Sequence, residues 1–179
     1  MISKQRNNFF DKFVKISDLF KVFTGKKDVN QAKSIGKYRF YSCSPDFLYS
    51  DEFICDKESI LIAGNGSYTG RVSLAKPPFD LYQRTYALTP INNNEFLPYA
   101  FAILKSIFKN KVDTSLHGSA IPYIVLKDIT DFEIPIDSNN IKSDLILCKS
   151  IVSTIKNNEE EIFTLKKTLT FILNKMSKQ

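Results

Sequence analysis

The chain is poor in the residues that most often carry chemistry. Its 179 residues include one histidine, three cysteines and no tryptophan. Cys43, Cys55 and Cys148 lie far apart, and none forms the C-x-x-C spacing of a zinc or redox site. Their odd number argues against a closed disulfide framework, so reduced thiols in a cytoplasmic protein are expected. No apolar run approaches the roughly 18 to 20 residues that span a bilayer. The stretch from Met1 to Lys15 mixes polar and aromatic residues and has no apolar signal core. A soluble protein with no membrane partner is therefore expected.

Glycine is also scarce, at six residues, yet three of them fall in I-L-I-A-G-N-G-S-Y-T-G-R at 60–71. A Walker loop requires a glycine five places after the first and then Lys-Ser or Lys-Thr. Here that place holds Thr69, and Arg71 follows the last glycine. A dinucleotide loop requires G-x-G-x-x-G opening a helix. Here the third glycine comes one place late, and R-V-S-L-A-K-P-P follows, which alternates as a strand and meets two prolines. The pattern instead predicts a strand, a turn and a returning strand, with Asn65-Gly66 supplying the positive-φ residues of the turn. Lys76-Pro77-Pro78-Phe79 has the outline of an amino-methyltransferase motif, but Lys76 offers no hydrogen-bond acceptor where that chemistry needs one. His117 could act as a base, yet no nucleophile elbow accompanies it. Nothing in the sequence argues for an enzyme.

A core is well supplied, with 43% apolar and 13% aromatic residues. The net charge of +6 is unevenly spread. Residues 1–40 carry a net +7, residues 41–138 a net −4 and residues 139–179 a net +3. Such an excess suits a nucleic-acid partner.

Periodicity divides the chain into a mixed α/β (α+β) domain over 1–138 and a helical segment over 139–179. Ser17 is a candidate N-cap for a turn running to Phe23, with Gly25 as its stop. Tyr38–Ser42, Ser59–Ala63, Arg71–Ala75 and Leu81–Leu88 read as strands. Glu95–Asn110 reads as a helix, and Ile121–Leu126 and Asp131–Ile136 as short extended segments. The last forty residues hold neither glycine nor proline. Ile141, Leu145, Cys148, Val152, Ile155, Glu159, Ile162, Lys166, Leu169, Leu173 and Met176 follow alternating steps of four and three. Nine of these eleven are apolar, which predicts a long helix with a coiled-coil seam. The alternative is a helix folded back on its own domain.

In order, the segments F-T-G-K, I-G-K-Y-R-F-Y-S, F-I-C-D-K-E-S-I-L-I-A-G-N-G-S-Y-T-G-R-V, Y-Q-R-T-Y-A-L, F-L-P-Y-A-F-A-I-L-K, H-G-S-A-I-P-Y-I and L-K-D-I-T-D-F-E-I-P precede the long helix. This set resembles the DNA specificity subunit of type I restriction–modification systems, as one target recognition domain and one helical spacer, over roughly Ile16 to Met176. The usual subunit of that family is about twice as long, with two of each part. Its frequent Pro-Pro-x-x-x-Gln run is here I-P-I-D-S-N-N-I.

The resemblance implies a non-catalytic reader of one half of a split double-stranded DNA site. It also implies a homodimer whose paired helices rebuild the two-domain arrangement and hold DNA adenine methyltransferase subunits. No cofactor is expected on this chain, since S-adenosylmethionine would belong to the methyltransferase and ATP to a motor subunit. A symmetric dimer would read an inverted repeat. The residue types that contact bases and phosphates single out Lys26, Lys27, Lys37, Arg39, Tyr68, Arg71, Arg84 and His117, with Lys105, Lys109 and Lys111 as a second cluster. The helix interface would use Ile141, Leu145, Cys148, Val152, Ile155, Ile162, Leu169, Leu173 and Met176. A second reading keeps the fold as an assembly or inhibitor protein without sequence preference.

Overall fold

A computed structural model describes residues 10–92, 94–113 and 122–177. The central layer is an antiparallel four-stranded sheet. It is built from β2 (Phe20–Thr24), β5 (Ser59–Ala63), β6 (Val72–Ala75) and β8 (Thr85–Pro90), in the order β2-β8-β5-β6. A second sheet, β4-β3-β7, contains β3 (Tyr38–Tyr41), β4 (Leu48–Ser50) and β7 (Phe79–Leu81), with β3 and β7 parallel. A small ribbon pairs β1 (Lys12–Lys15) with β9 (Glu133–Ile136). The helices are α1 (Ile16–Leu19), α2 (Leu97–Asp113), α3 (Leu126–Thr130) and α4 (Ile141–Met176).

The sequence S-I-L-I-A of β5 explains the layering, because a continuous apolar run suits a strand covered on both faces. All five residues are buried. Successive side chains alternate, so Ile60 and Ile62 join a core with Val72, Leu74, Leu88 and the helices, whereas Leu61 faces the other way. That first core takes Leu97, Ala100, Leu104 and Phe108 from α2, Ile129 from α3 and Val152 from α4. Full burial of one such large side chain contributes about 1.5–3 kcal/mol. The second core lies between the two sheets, where Leu61, Ala75 and Ala87 meet Phe79 and Leu81.

Several elements depart from the sequence reading. The turn expected through Phe23 is only the four residues of α1. It follows Lys15, and Ser17 does not cap it. Phe20–Thr24 is a strand because β8 pairs with it residue by residue, Val22 opposite Leu88. The strand expected over Leu81–Leu88 is two strands of different sheets, broken by a turn at Gln83–Arg84. Leu126 opens a helix instead of closing an extended segment. The β5–β6 hairpin is present, but its turn is longer than two residues. Gly66 and Gly70 both have φ of +79°, and among the described residues no non-glycine residue has positive φ, Asn65 included.

The largest difference concerns α4. Its 36 residues extend over about 54 Å. Along the first half, Ile141, Leu145, Cys148 and Ile155 pack on the first core, and Val152 is 2% exposed within it. The helix they meet is the chain's own α2. The first five positions of the expected coiled-coil seam are therefore covered within the chain. Packing between the helix and the first core runs across the 138/139 boundary. From Ile162 onward the seam side chains and the neighbouring Leu165 are open: Ile162, Leu165, Leu169, Leu173 and Met176 are each more than half exposed. No helix among the described residues is long and apolar enough to cross a membrane.

Candidate nucleic-acid interface

The register of the four-stranded sheet brings distant loops to one end. Thr24 of β2 pairs with Tyr86 of β8, Ala63 of β5 with Thr85, and Ile62 with Val72 of β6. The loops that leave these positions, 25–28, 64–71 and 82–84, must therefore lie side by side. The segment Pro122–Val125 joins them through a bridge between Asn65 and Tyr123.

Backbone hydrogen bonds lock the group. The Gly64 N–H donates to the Arg84 carbonyl at 2.9 Å, and the Ile124 N–H donates to the Gly64 carbonyl at 2.8 Å. The Gln83 N–H donates to the Lys27 carbonyl at 2.9 Å. The Thr69 hydroxyl lies 3.0 Å from the Pro122 carbonyl and 2.6 Å from that of Gly66. Tyr86 donates its hydroxyl to the Ile124 carbonyl at 3.0 Å, and burial holds that phenol above its usual pKa, in the donor form. Gly64 permits the close approach: a Cβ there would sit 2.4 Å from the Arg84 carbonyl oxygen.

The locked loops enclose a hollow of about 310 Å³ lined by Gly64, Asn65, Gln83, Arg84, Tyr86, Tyr123 and Ile124. Asn, Gln and Arg are the side chains whose paired donors and acceptors match base edges, and here one of each meets on a rigid floor. Gln83 and Arg84 are exposed. Among the described residues Arg84 has no hydrogen bond or ion pair from its guanidinium. The Asn65 side-chain carbonyl accepts from the Cys43 thiol at 3.2 Å, which turns its amide NH₂ away from that bond. The Gln83 amide donates to Asp28 at 3.0 Å.

The singled-out cations divide into engaged and open groups. The ammonium of Lys27 meets Asp80 at 2.6 Å, Glu52 at 2.9 Å and Ser50 Oγ at 3.0 Å. An ammonium has three donors, so Lys27 has none to spare, and the Asp80 hydrogen bond leads the causes that raise its pKa. Arg39 is paired with Glu160 and lies against two adjoining aromatic rings, Phe47 and Phe163. Arg71 donates to the Ser44 and Cys43 carbonyls at 2.5 and 3.4 Å and ties the β3–β4 loop to the start of β6. Burial depresses its pKa, and among the described residues its Nε has no partner. Lys105 donates to the Val72 carbonyl at 2.9 Å.

Lys26 and Arg84 stand open at the loop end, and Tyr68 is 47% exposed in the same 64–71 loop. Lys109 lies against Gly70 from the side of α2, and Lys111 stands over the Phe132 ring. Lys37 is remote on the second sheet, with its ammonium 5.1 Å from the Tyr38 ring. His117 lies outside the described residues.

Asn65, Gln83 and Tyr123 were not singled out by sequence. The usable signal was the residue type of Asn65 and Gln83, each beside a turn that also holds a glycine or an arginine. Tyr123 carried no such signal. Among the described residues no group of three or more His, Cys, Asp or Glu is placed to hold a metal ion.

The family model for the type I restriction modification DNA specificity domain matches residues 11–170. The type I restriction enzyme EcoDI specificity subunit of Escherichia coli is 37% identical over 128 residues, which is 71% of this chain and 28% of that protein. The type I restriction–modification S subunit of M. genitalium superposes with a TM-score of 0.68 at 22% identity, over 89% of this chain and 42% of that one. The HsdS subunit of Thermoanaerobacter tengcongensis gives 0.54 at 14% identity, over 82% and 38%. The solved structures share the fold, and this chain spans less than half the length of each relative. With the family model covering nearly all of the described residues, the chain belongs to the type I restriction modification DNA specificity domain family.

Proposed function

We propose that this chain is a non-catalytic, sequence-specific reader of double-stranded DNA, that its loop platform reads one half-site, and that its distal helix pairs with a second copy. The observation that carries the reading is the convergence of Asn65, Gln83 and Arg84 on a floor fixed by backbone hydrogen bonds. Such preorganisation is what base readout needs, because a loosely held reader loses discrimination to ordering entropy. Lys26, Tyr68 and Lys109 flank the platform and suit phosphates, which position the duplex without reading it. Lys27, Arg39 and Lys105 are left out of the interface, since their donors or faces are already engaged.

Self-association is supported by the open apolar side chains of the distal half, with Leu165 and Ile172 widening the stripe of Ile162, Leu169, Leu173 and Met176. Charge there is segregated, with Glu159–Glu161 at one end and Lys166, Lys167 and Lys175 towards the other. An antiparallel pair sets opposite signs together. The relatives are subunits of restriction–modification systems, so adenine methyltransferase subunits are the proposed further partners. The proposed setting is the cytoplasm.

Binding-site selection from random DNA tests the reading. An enriched half-site, lost when Arg84 is replaced by Ala, supports it. The exposed distal helix favours one other reading, an assembly protein without sequence preference. That reading predicts no enriched site, together with recovery of a methyltransferase or a specificity subunit on the tagged chain.

A further inference from the structure

Arg39 sits where the second sheet meets α4. Its guanidinium lies 4.4 Å from the Phe47 ring and 5.1 Å from the Phe163 ring, and those two rings are 5.3 Å apart. Its Nη2 meets Glu160 Oε1 at 2.8 Å, and the other oxygen of Glu160 meets Lys76 at 2.8 Å. One turn earlier on the helix, Lys156 pairs with Glu58 at 2.5 Å. Phe163 is half-buried in a stretch of α4 that is otherwise exposed, and the Arg39 side chain is only 18% exposed.

The helix is thus held twice. Its first half is seated on α2, and this clamp fastens it again to β3 and the β3–β4 loop. One contact would leave the helix able to pivot, whereas two fix its direction. The lever is long. A tilt of ~10° moves the far end of a ~54 Å helix by ~9 Å, or between two and three base-pair steps of ~3.4 Å. Isolated exposed ion pairs contribute little. A guanidinium that faces two adjoining rings, one from each element, and is also paired with a carboxylate of the helix fixes geometry as well as charge.

We propose that Arg39 is a positioning residue whose clamp with Phe163 and Glu160 sets the angle between the reading platform and the distal helix, and so the separation of half-sites that a dimer accepts. This inference rests on the half-site reading proposed above. It assigns Arg39 a role away from the DNA.

The test uses the full-length chain and DNA carrying two inverted copies of the selected half-site at separations from zero to about twelve base pairs. The wild type is expected to prefer one separation by about tenfold or more. Arg39→Ala and Phe163→Ala are expected to bring several separations to within about threefold of the best. Both are expected to leave the affinity for a single half-site within about twofold. Phe163→Ala changes only the helix side, so it reports even where Arg39→Ala disturbs β3. An unchanged separation profile in both variants overturns the proposal.

A second measurement does not depend on DNA. Spin labels attached at the positions of Ile35 and Lys175 are expected to give a narrow distance distribution in the wild type and a broadened one in both variants. Equal widths also overturn the clamp. Absence of any selected half-site in the wild type, with the distance change present, instead overturns the half-site reading and the spacing role built on it.

Discussion

The two halves of α4 carry one apolar stripe and meet opposite environments. From Ile141 to Ile155 the stripe is laid on α2, with Val152 at 2% exposure. From Ile162 to Met176 it is open, with Leu169 at 57%. The same division runs through the basic residues. Lys27 is held on all three donors, and Arg84 has none engaged among the described residues. Groups satisfied inside the fold contribute stability. Groups left open are available to a partner, and their loss should hardly touch stability.

The sharpest break of this comparison is a charge placed on each half of α4. Val152→Asp buries an unpaired carboxylate in the main core and is expected to cost more than about 4 kcal/mol, seen as loss of the cooperative thermal transition. Leu169→Asp is expected to leave that transition within about 0.5 kcal/mol of the wild type, and to convert the proposed dimer to monomer in sedimentation. Equal effects of the two changes would remove the distinction between the halves.

The cations give the next largest contrast. Asp80→Asn leaves the Lys27 ammonium without its buried partner and is expected to cost about 3 kcal/mol in chemical denaturation. Arg84→Ala is expected to leave denaturation unchanged and weaken binding to the selected half-site by about 1–3 kcal/mol, with relaxed preference at one position. A measurable loss of stability in Arg84→Ala would mean that its guanidinium is engaged after all. Lys26→Ala is expected to weaken binding to all sequences alike and to reduce the salt slope by about 0.9.

The smallest effect concerns pH. Burial alone would raise the pKa of Glu160, but the Lys76 hydrogen bond and the Arg39 charge outweigh it and hold the carboxyl below its ordinary value of 4.5. A carboxyl depressed on folding stabilises the fold above its unfolded pKa, and this contribution is lost as pH falls through the lower folded value. Glu160 is 40% exposed, so the contribution is about 0.5 kcal/mol after screening. A Glu160→Gln variant should melt slightly below the wild type at pH 7, and the gap should close as the pH is taken progressively below 4.5. A gap that persists in acid would deny the clamp its ionic part.

Local pattern carried some of this a long way. The run S-I-L-I-A read as a strand and is one, and Glu95–Asn110 lies close to the observed Leu97–Asp113. Phe20–Thr24 was misread because its strand state comes from pairing with β8, a partner far along the chain. Asn65 read as a turn residue. Its place in the reading platform depends on Gln83, Arg84 and Tyr123, which only the sheet register brings beside it.

Composition, spacing and the ordered motifs sufficed for the family, the mixed sheets and one long amphipathic helix, because these depend on local periodicity and residue type. Periodicity states that a face must be covered and charge states that a cation seeks a partner. Neither names the partner, since covering and pairing are long-range events in which α2, Asp80 and Glu160 compete with a second chain or a phosphate. Tertiary packing made that choice. It placed half of the seam against α2, took Lys27 and Arg39 into the protein, and left Arg84 and the distal helix open.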